Sequence, residues 1–334
     1  MVGYGVSFVL AVLLLPLAWI CAYAGCRAVR GLPNSMSGLE RMTGPYLNKR
    51  VARYMLVTMP LNHFGEKVRF VLDLVDAPYE ERNIAGILCI FLRGRSIPWL
   101  VDRLSCSHIG NSDQILHYIS ASHVPTLPPE KRVKAEYLLR RNDETIAWED
   151  KMNTLGHVIQ GFAYYYVLHP DMPVVFPLTT WGGFEARVPL AQQLLLRVSV
   201  RVLKVLMRDV FKLSGPGAEK LRDQREELLM GILDDVDAAL KRSGGPYMFG
   251  SELSYIDVAF SSLMYPMLDS LFMAPDTKWA NGRFASFAQY KAVRGDVTPA
   301  SRFQVLREME RDLLQRPCGK LIQAVYAQRG TKLL

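Results

Sequence analysis

The chain has 334 residues, 50% of them apolar and 22% charged, which excludes wholesale disorder and leaves room for one large or two modest domains. A formal charge of +8 suits an anionic surface or an acidic ligand, but no basic patch with interleaved aromatics marks a strand-binding protein, so nucleic acid is not expected as a partner. The five cysteines (Cys21, Cys26, Cys89, Cys106 and Cys318) are irregularly spaced with no CxxC and no matched histidines, which points away from a metal site and toward a reducing compartment.

Residues 2–24 carry no charged side chain, enough to cross a bilayer as a helix, with Pro16 tolerable inside it and Trp19 and Tyr23 toward one interface. A signal peptide is the rival reading, and the lack of a basic residue before the apolar run argues against it. Arg27, Arg30, Arg41, Lys49, Arg50 and Arg53 follow, opposed only by Glu40, so the positive-inside rule places the bulk of a single-pass protein on the cytosolic or matrix face. The membrane expected is that of the mitochondrion or the endoplasmic reticulum. Residues 25–50, rich in turn residues, read as a linker.

From Arg53 the pattern changes. A short strand over 54–58 runs into the stretch Leu61-Asn62-His63-Phe64-Gly65-Glu66-Lys67-Val68-Arg69, where an apolar-periodic helix begins. A helix start after a strand offers unpaired N–H groups to an anion or a thiolate. A second strand follows Pro78, residues 84–95 are ambiguous, and Ile97-Pro98-Trp99-Leu100-Val101 is a short buried strand whose proline invites a cis bond. A hairpin-like turn at 102–107 leads to Asn111-Ser112, the cap of a helix through Ile119. These elements make a small α/β unit over 51–122.

After the proline-rich boundary 123–129 the chain reads as helical over 130–320. Arg132 to about Val158 alternates charged and apolar residues over many helical turns, continued or ended by 161–166, and a loop or insert follows over 169–189. In 190–213, Arg197, Arg201, Lys204, Arg208 and Lys212 fall at spacings of four, three, four and four, on one helix face. That basic helix is either a buried helix with one solvated face or a second contact with an anionic bilayer. A charged amphipathic helix over 218–242 ends at Ser243-Gly244-Gly245-Pro246, Ser254 and Asp257 have capping-box spacing, and the tail 280–334 is helical.

Taken together, His63 to Arg69, the Ile97 to Val101 segment, Ile109 to Tyr118 and Gly250 to Ala259 resemble the glutathione transferase superfamily over about residues 53–315. The spacing of the two halves is similar to its failed-axon-connections and metaxin-like branch. The resemblance implies a thioredoxin-like α/β domain followed by an all-α glutathione-transferase C-terminal-like domain, here behind a single N-terminal transmembrane helix. It also implies glutathione as substrate or ligand, with Phe64, Ile97, Pro98, Asn111 and Ser112 lining the site. Pro98 would present the Ile97 backbone to the cysteinyl part, and Ser112 would meet the γ-glutamyl carboxylate at a helix start.

The chain departs from the family's Ser-x-x-Cys pattern where chemistry is carried: Asn62 stands at the serine position and Gly65 at the cysteine position. The resemblance makes Asn62, at the serine position, the catalytic candidate, able to donate an N–H bond to a thiolate but not to act as a nucleophile. Asn111 stands where the family has an acidic residue for the γ-glutamyl amine. His63 in this loop, and the Cys106–His108 pair in the hairpin, are weaker candidates with structural readings of their own. The expectation is a membrane-anchored, glutathione-binding protein with weak or absent transferase activity. The alternative is a non-catalytic membrane-tethered adaptor or complex subunit that uses the fold as an interaction surface for protein partners.

Overall fold

Strand β1 (Tyr54–Thr58) is buried along its whole length, as a strand flanked on both sides and covered on both faces must be. β1 pairs in parallel with β2 (Tyr79–Asn83) and antiparallel with β3 (Trp99–Asp102), which pairs antiparallel with β4 (Ser107–Gly110). The order β2-β1-β3-β4 is the thioredoxin-like arrangement expected. Helix α1 (His63–Leu74) connects β1 to β2, and α2 (Ser112–Ser122) follows β4 and packs on α1. The computed structural model describes residues 52–59, 61–86, 97–185, 187–268 and 300–328.

The second unit is helical: α3 (Pro129–Leu138), α4 (Asp143–Val167), α5 (Val175–Thr180), α6 (Leu190–Val210), α7 (Ala218–Ser243), α8 (Tyr255–Met264), α9 (Ala300–Gln315) and α10 (Pro317–Ala327). The helical region expected from Arg132 is divided into α3 and α4. Asn142 accepts from the Thr145 backbone N–H and the Thr145 hydroxyl accepts from that of Asn142, both at 2.8 Å, so this capping box starts a new helix. Local side-chain bonding overrode the charge periodicity there. The segment 169–189 contains α5 rather than loop alone.

One apolar core runs through both units. Every residue of α8 is buried, and α8 packs on α1 and α4. The Ser254–Asp257 capping box expected from the spacing starts α8, with Asp257 also accepting from the Met248 N–H at 2.9 Å. Buried Glu149 on α4 ties the units together, accepting from the Tyr255 hydroxyl at 2.8 Å and pairing with His117 of α2 at 3.1 Å. A smaller core around Tyr164, Phe176, Trp181, Leu196 and Val200 lies beneath α6.

Of the five basic residues in 190–213, Arg197, Arg201 and Lys212 are exposed and Arg208 is half-exposed, while Lys204 turns inward. Lys204 is buried and donates to the carbonyls of Met172 (2.5 Å) and Pro170 (3.2 Å). Arg197 donates to the Gly183 carbonyl at 3.0 Å and lies over the Phe184 ring. The loop carbonyls of Met172 and Pro170 take Lys204 as their donor, and beside the basic flank Leu194, Val198, Val202 and Val205 are exposed as well. The membrane helix expected at 2–24, the linker 25–50, Cys21, Cys26 and Cys89 lie outside the described residues. Among the described helices none is long and apolar enough to cross a membrane.

Candidate functional site

The sheet gathers the expected site residues at one end. Register places Thr58 one step beyond the Val57–Trp99 pair, beside Pro98, and places Asn111 just past the Trp99–Gly110 pair. The start of α1, the Ile97-Pro98 loop and the start of α2 therefore meet at that end. The Ile97–Pro98 peptide is cis, with Ile97 half-buried and Pro98 buried.

At the start of α1 the side chains satisfy one another. Buried Asn62 is the N-cap, its carbonyl oxygen accepting from the Gly65 N–H, so only its amide N–H end is left for a thiolate. Gly65 sits against Thr58: a Cβ at Gly65 would stand 2.3 Å from Thr58 Oγ1 and 3.3 Å from Asn62 Oδ1. The volume a cysteine would need is filled by the fully buried Thr58 side chain. His63 is buried, with Nε2 3.1 Å from the Gly156 carbonyl, and burial pushes its pKa down to about 4, which keeps it neutral. It joins α1 to α4. Phe64 packs into the same seam: a Cβ at Gly156 would be 2.3 Å from Phe64 Cζ, and its ring lies 5.6 Å from that of His157.

The start of α2 is different. Asn111, exposed and at φ +67°, caps it by accepting from the Asp113 N–H at 3.3 Å. An asparagine tolerates this sparsely populated backbone better than most residues. Ser112 is 1% exposed, and its hydroxyl has no hydrogen-bond partner among the described residues. The same holds for the Asp113 Oδ2 oxygen. The other Asp113 oxygen pairs with the buried Lys67 ammonium of α1, so one ion pair fixes the two helix starts to each other.

Sequence reading missed Lys67 and Asp113 as partners and the role of Arg69. Arg69 is buried and donates to Glu81 (2.8 Å) and to the Met59 carbonyl (2.8 Å), holding the loop between β1 and α1. The only sequence signal was Lys67 and Arg69 flanking Val68 in the apolar-periodic helix. Asn83, opposite Thr58 in the β1–β2 register, is also buried, with neither amide atom hydrogen-bonded among the described residues. In the hairpin, the Cys106 thiol faces the Arg103 carbonyl at 4.0 Å while the His108 ring packs edge-on to Trp99. Cys318 is buried, which pushes its thiol up to about 12. Among the described residues no cluster of three or more His, Cys, Asp or Glu is placed to hold a metal ion.

No family model and no curated protein matches the chain. Among solved structures it is similar to the glutathione transferase Ure2p6 of Phanerochaete chrysosporium in complex with oxidized glutathione, at 14% identity over 83% of this chain and 96% of that one, with a TM-score of 0.42. A glutathione transferase of Pseudomonas putida with one glutathione disulfide bound per subunit is similar at 16% identity over 87% and 98%, TM-score 0.42. A glutathione transferase family member of Pseudomonas fluorescens with two glutathione bound is similar at 13% identity over 85% and 97%, also at 0.42. The fold assignment rests on the sheet order and the helices described above.

Proposed function

We propose that the chain binds glutathione at the shared start of α1 and α2, with weak or absent thiol transfer, and is held at a membrane by residues 2–24. The observation that carries the binding reading is Ser112: a buried hydroxyl with no partner among the described residues, at a helix start where unpaired N–H groups favour an anion. That pairing suits the γ-glutamyl carboxylate. The open Asp113 Oδ2, one residue on, suits the γ-glutamyl ammonium and would compensate for the neutral Asn111. The Ile97 backbone ahead of Pro98 would take the cysteinyl part.

The thiol end has less support. With Thr58 filling the space beside Gly65 and the Asn62 carbonyl engaged as a cap, only the Asn62 amide and the helix dipole are left to lower a thiol pKa. This reading places the chain in the glutathione transferase superfamily, in its failed-axon-connections and metaxin-like branch, with the folded part on the cytosolic or matrix side of a mitochondrial or endoplasmic-reticulum membrane. The same closed α1 start favours a second reading, a membrane-tethered adaptor for protein partners, which predicts no glutathione binding.

Titration of the full chain with glutathione up to millimolar concentration, read as a shift in Tm, separates the two. Binding to the folded state raises Tm by mass action, and Ser112→Ala should reduce the shift at a given glutathione concentration. No shift in the unsubstituted chain at saturating glutathione overturns the binding reading.

A further inference from the structure

The outward face of α6 is not explained by glutathione binding. Leu194, Val198, Val202 and Val205 follow one another at steps of four, four and three, and lie within about 80° of arc at 3.6 residues per turn. They are 50%, 69%, 62% and 66% exposed, and Leu206 and Val210 extend the row at 54% and 68%. The exposed Leu228 and Met230 on α7 are scattered by comparison. A contiguous apolar row of this length on a water-exposed helix marks a contact surface.

The charges beside the row select the occupant. From Leu190 to Val210 the helix has four basic residues and a single acid, Asp209. Arg201 is exposed at the edge of the row, exposed Arg197 and half-exposed Arg208 lie on the same flank, and Lys212 is exposed just past its end. A second copy laid on this face would set those cations against their own kind. The uncharged segment 2–24 would cover the valines but offer the arginines no counter-charge. An anionic lipid surface supplies both, acyl chains for the apolar row and phosphates for the basic flank.

We propose that α6 seats its exposed apolar row in the surface of an anionic bilayer, with Arg201 and its neighbours on the lipid phosphates. This deepens the membrane reading above: residues 2–24 hold the chain at the membrane, and α6 orients the folded part against it. Lys204 serves the opposite purpose, fastening the inner side of the helix to the carbonyls of Met172 and Pro170.

The test uses the full chain reconstituted in phosphatidylcholine vesicles with and without phosphatidylserine. Val202→Cys on α6, and Leu228→Cys on α7 as control, each carry an environment-sensitive fluorophore, with the labelled unsubstituted chain as background. Lipids with brominated acyl chains should quench the label at 202 about threefold more than the label at 228, in the anionic vesicles only, and Arg201→Glu should reduce that difference. Equal quenching at the two positions, or a label at 202 that stays open to an aqueous quencher in anionic vesicles, overturns the proposal. So does disulfide cross-linking of Val202→Cys chains to one another before lipid is added, which would assign the face to a second copy. Carbonate extraction of the same vesicles reads the 2–24 anchor separately: release there with quenching at 202 intact refutes the anchor and leaves the α6 contact standing.

Discussion

Two helix starts a few ångströms apart in the fold have been treated differently. At α1 the polar groups are used up internally: Asn62 caps Gly65, His63 meets the Gly156 carbonyl, and Thr58 occupies the space next to Gly65. At α2 the cap is a single 3.3 Å bond, and a buried hydroxyl and a carboxylate oxygen have no partner among the described residues. Buried polar groups are seldom left so without a reason, because each costs about 1–3 kcal/mol unsatisfied. The contrast separates two tasks that one site would otherwise share. On the proposed reading, the end that would activate a thiol is closed by the protein's own side chains, while the end that would hold an anion is open.

The link between the two starts gives the largest expected effect. Lys67→Met leaves Asp113 buried without its cation, and breaking one side of a buried pair costs about 3–5 kcal/mol of stability. Lys67→Met combined with Asp113→Leu should regain most of that loss, since a matched apolar pair need not desolvate a charge. Denaturant unfolding of the two variants checks this. An equal loss in both would mean that the helices are held together by something other than the pair.

A thiol placed at position 65 should damage the fold. Gly65→Cys forces a Cβ to 2.3 Å from Thr58 Oγ1, an overpacking expected to cost about 2 kcal/mol. Thr58→Ala in the same chain makes room, so the double variant should be more stable than the sum of the single effects allows. Unfolding midpoints of the four chains of this cycle give the coupling directly, and additivity within error would show that Thr58 does not fill the space.

This contrast was only half legible in the sequence. The strand at 54–58, the proline at 98, the Asn111-Ser112 cap and the Ser254–Asp257 box could be read because each is a local pattern with a local cause. That Asn62 and Gly65 stand where the proposed family has serine and cysteine was equally visible. That Thr58 fills the space beside Gly65 was not, since it depends on a strand end meeting a helix start in three dimensions. The Lys67–Asp113 pair spans 46 positions, beyond the reach of any periodicity. The α6 helix shows the same limit more sharply. Its spacing put five basic residues on one face, but did not show that Lys204 turns in to the carbonyls of Met172 and Pro170 or that an apolar row beside the flank is exposed.

The neutral His63 gives the closed end a pH signature. Its pKa falls from the ordinary 6.5 to about 4 on folding, chiefly through burial, so between those values the unfolded chain binds the extra proton. Stability is therefore full above pH 6.5 and declines as pH falls toward 4, by up to about 1.4 kcal/mol per unit from this group. His123, also lowered by burial, adds to the slope in the same direction. His63→Gln retains a donor for the Gly156 carbonyl and cannot titrate, so its stability against pH should be flatter over that range. An unchanged slope would place the acid sensitivity elsewhere.

The open end yields the smallest effect on stability and the clearest test of the contrast. Ser112→Ala removes a hydroxyl that bonds to nothing among the described residues, so unfolding free energy should change by less than about 0.5 kcal/mol, or rise slightly. The corresponding change at a satisfied cap, Ser254→Ala, should cost about 1 kcal/mol, because the Ser254 hydroxyl and the Asp257 backbone N–H depend on each other. Glutathione affinity should move the opposite way. Losing a hydrogen bond to a carboxylate weakens binding by about tenfold in Ser112→Ala, and Ser254→Ala leaves it unchanged. Unfolding curves and titrations on the same two variants read both quantities. A Ser112→Ala chain that loses stability like a cap variant and keeps its affinity would make Ser112 a structural residue, and α2 would then be as closed as α1.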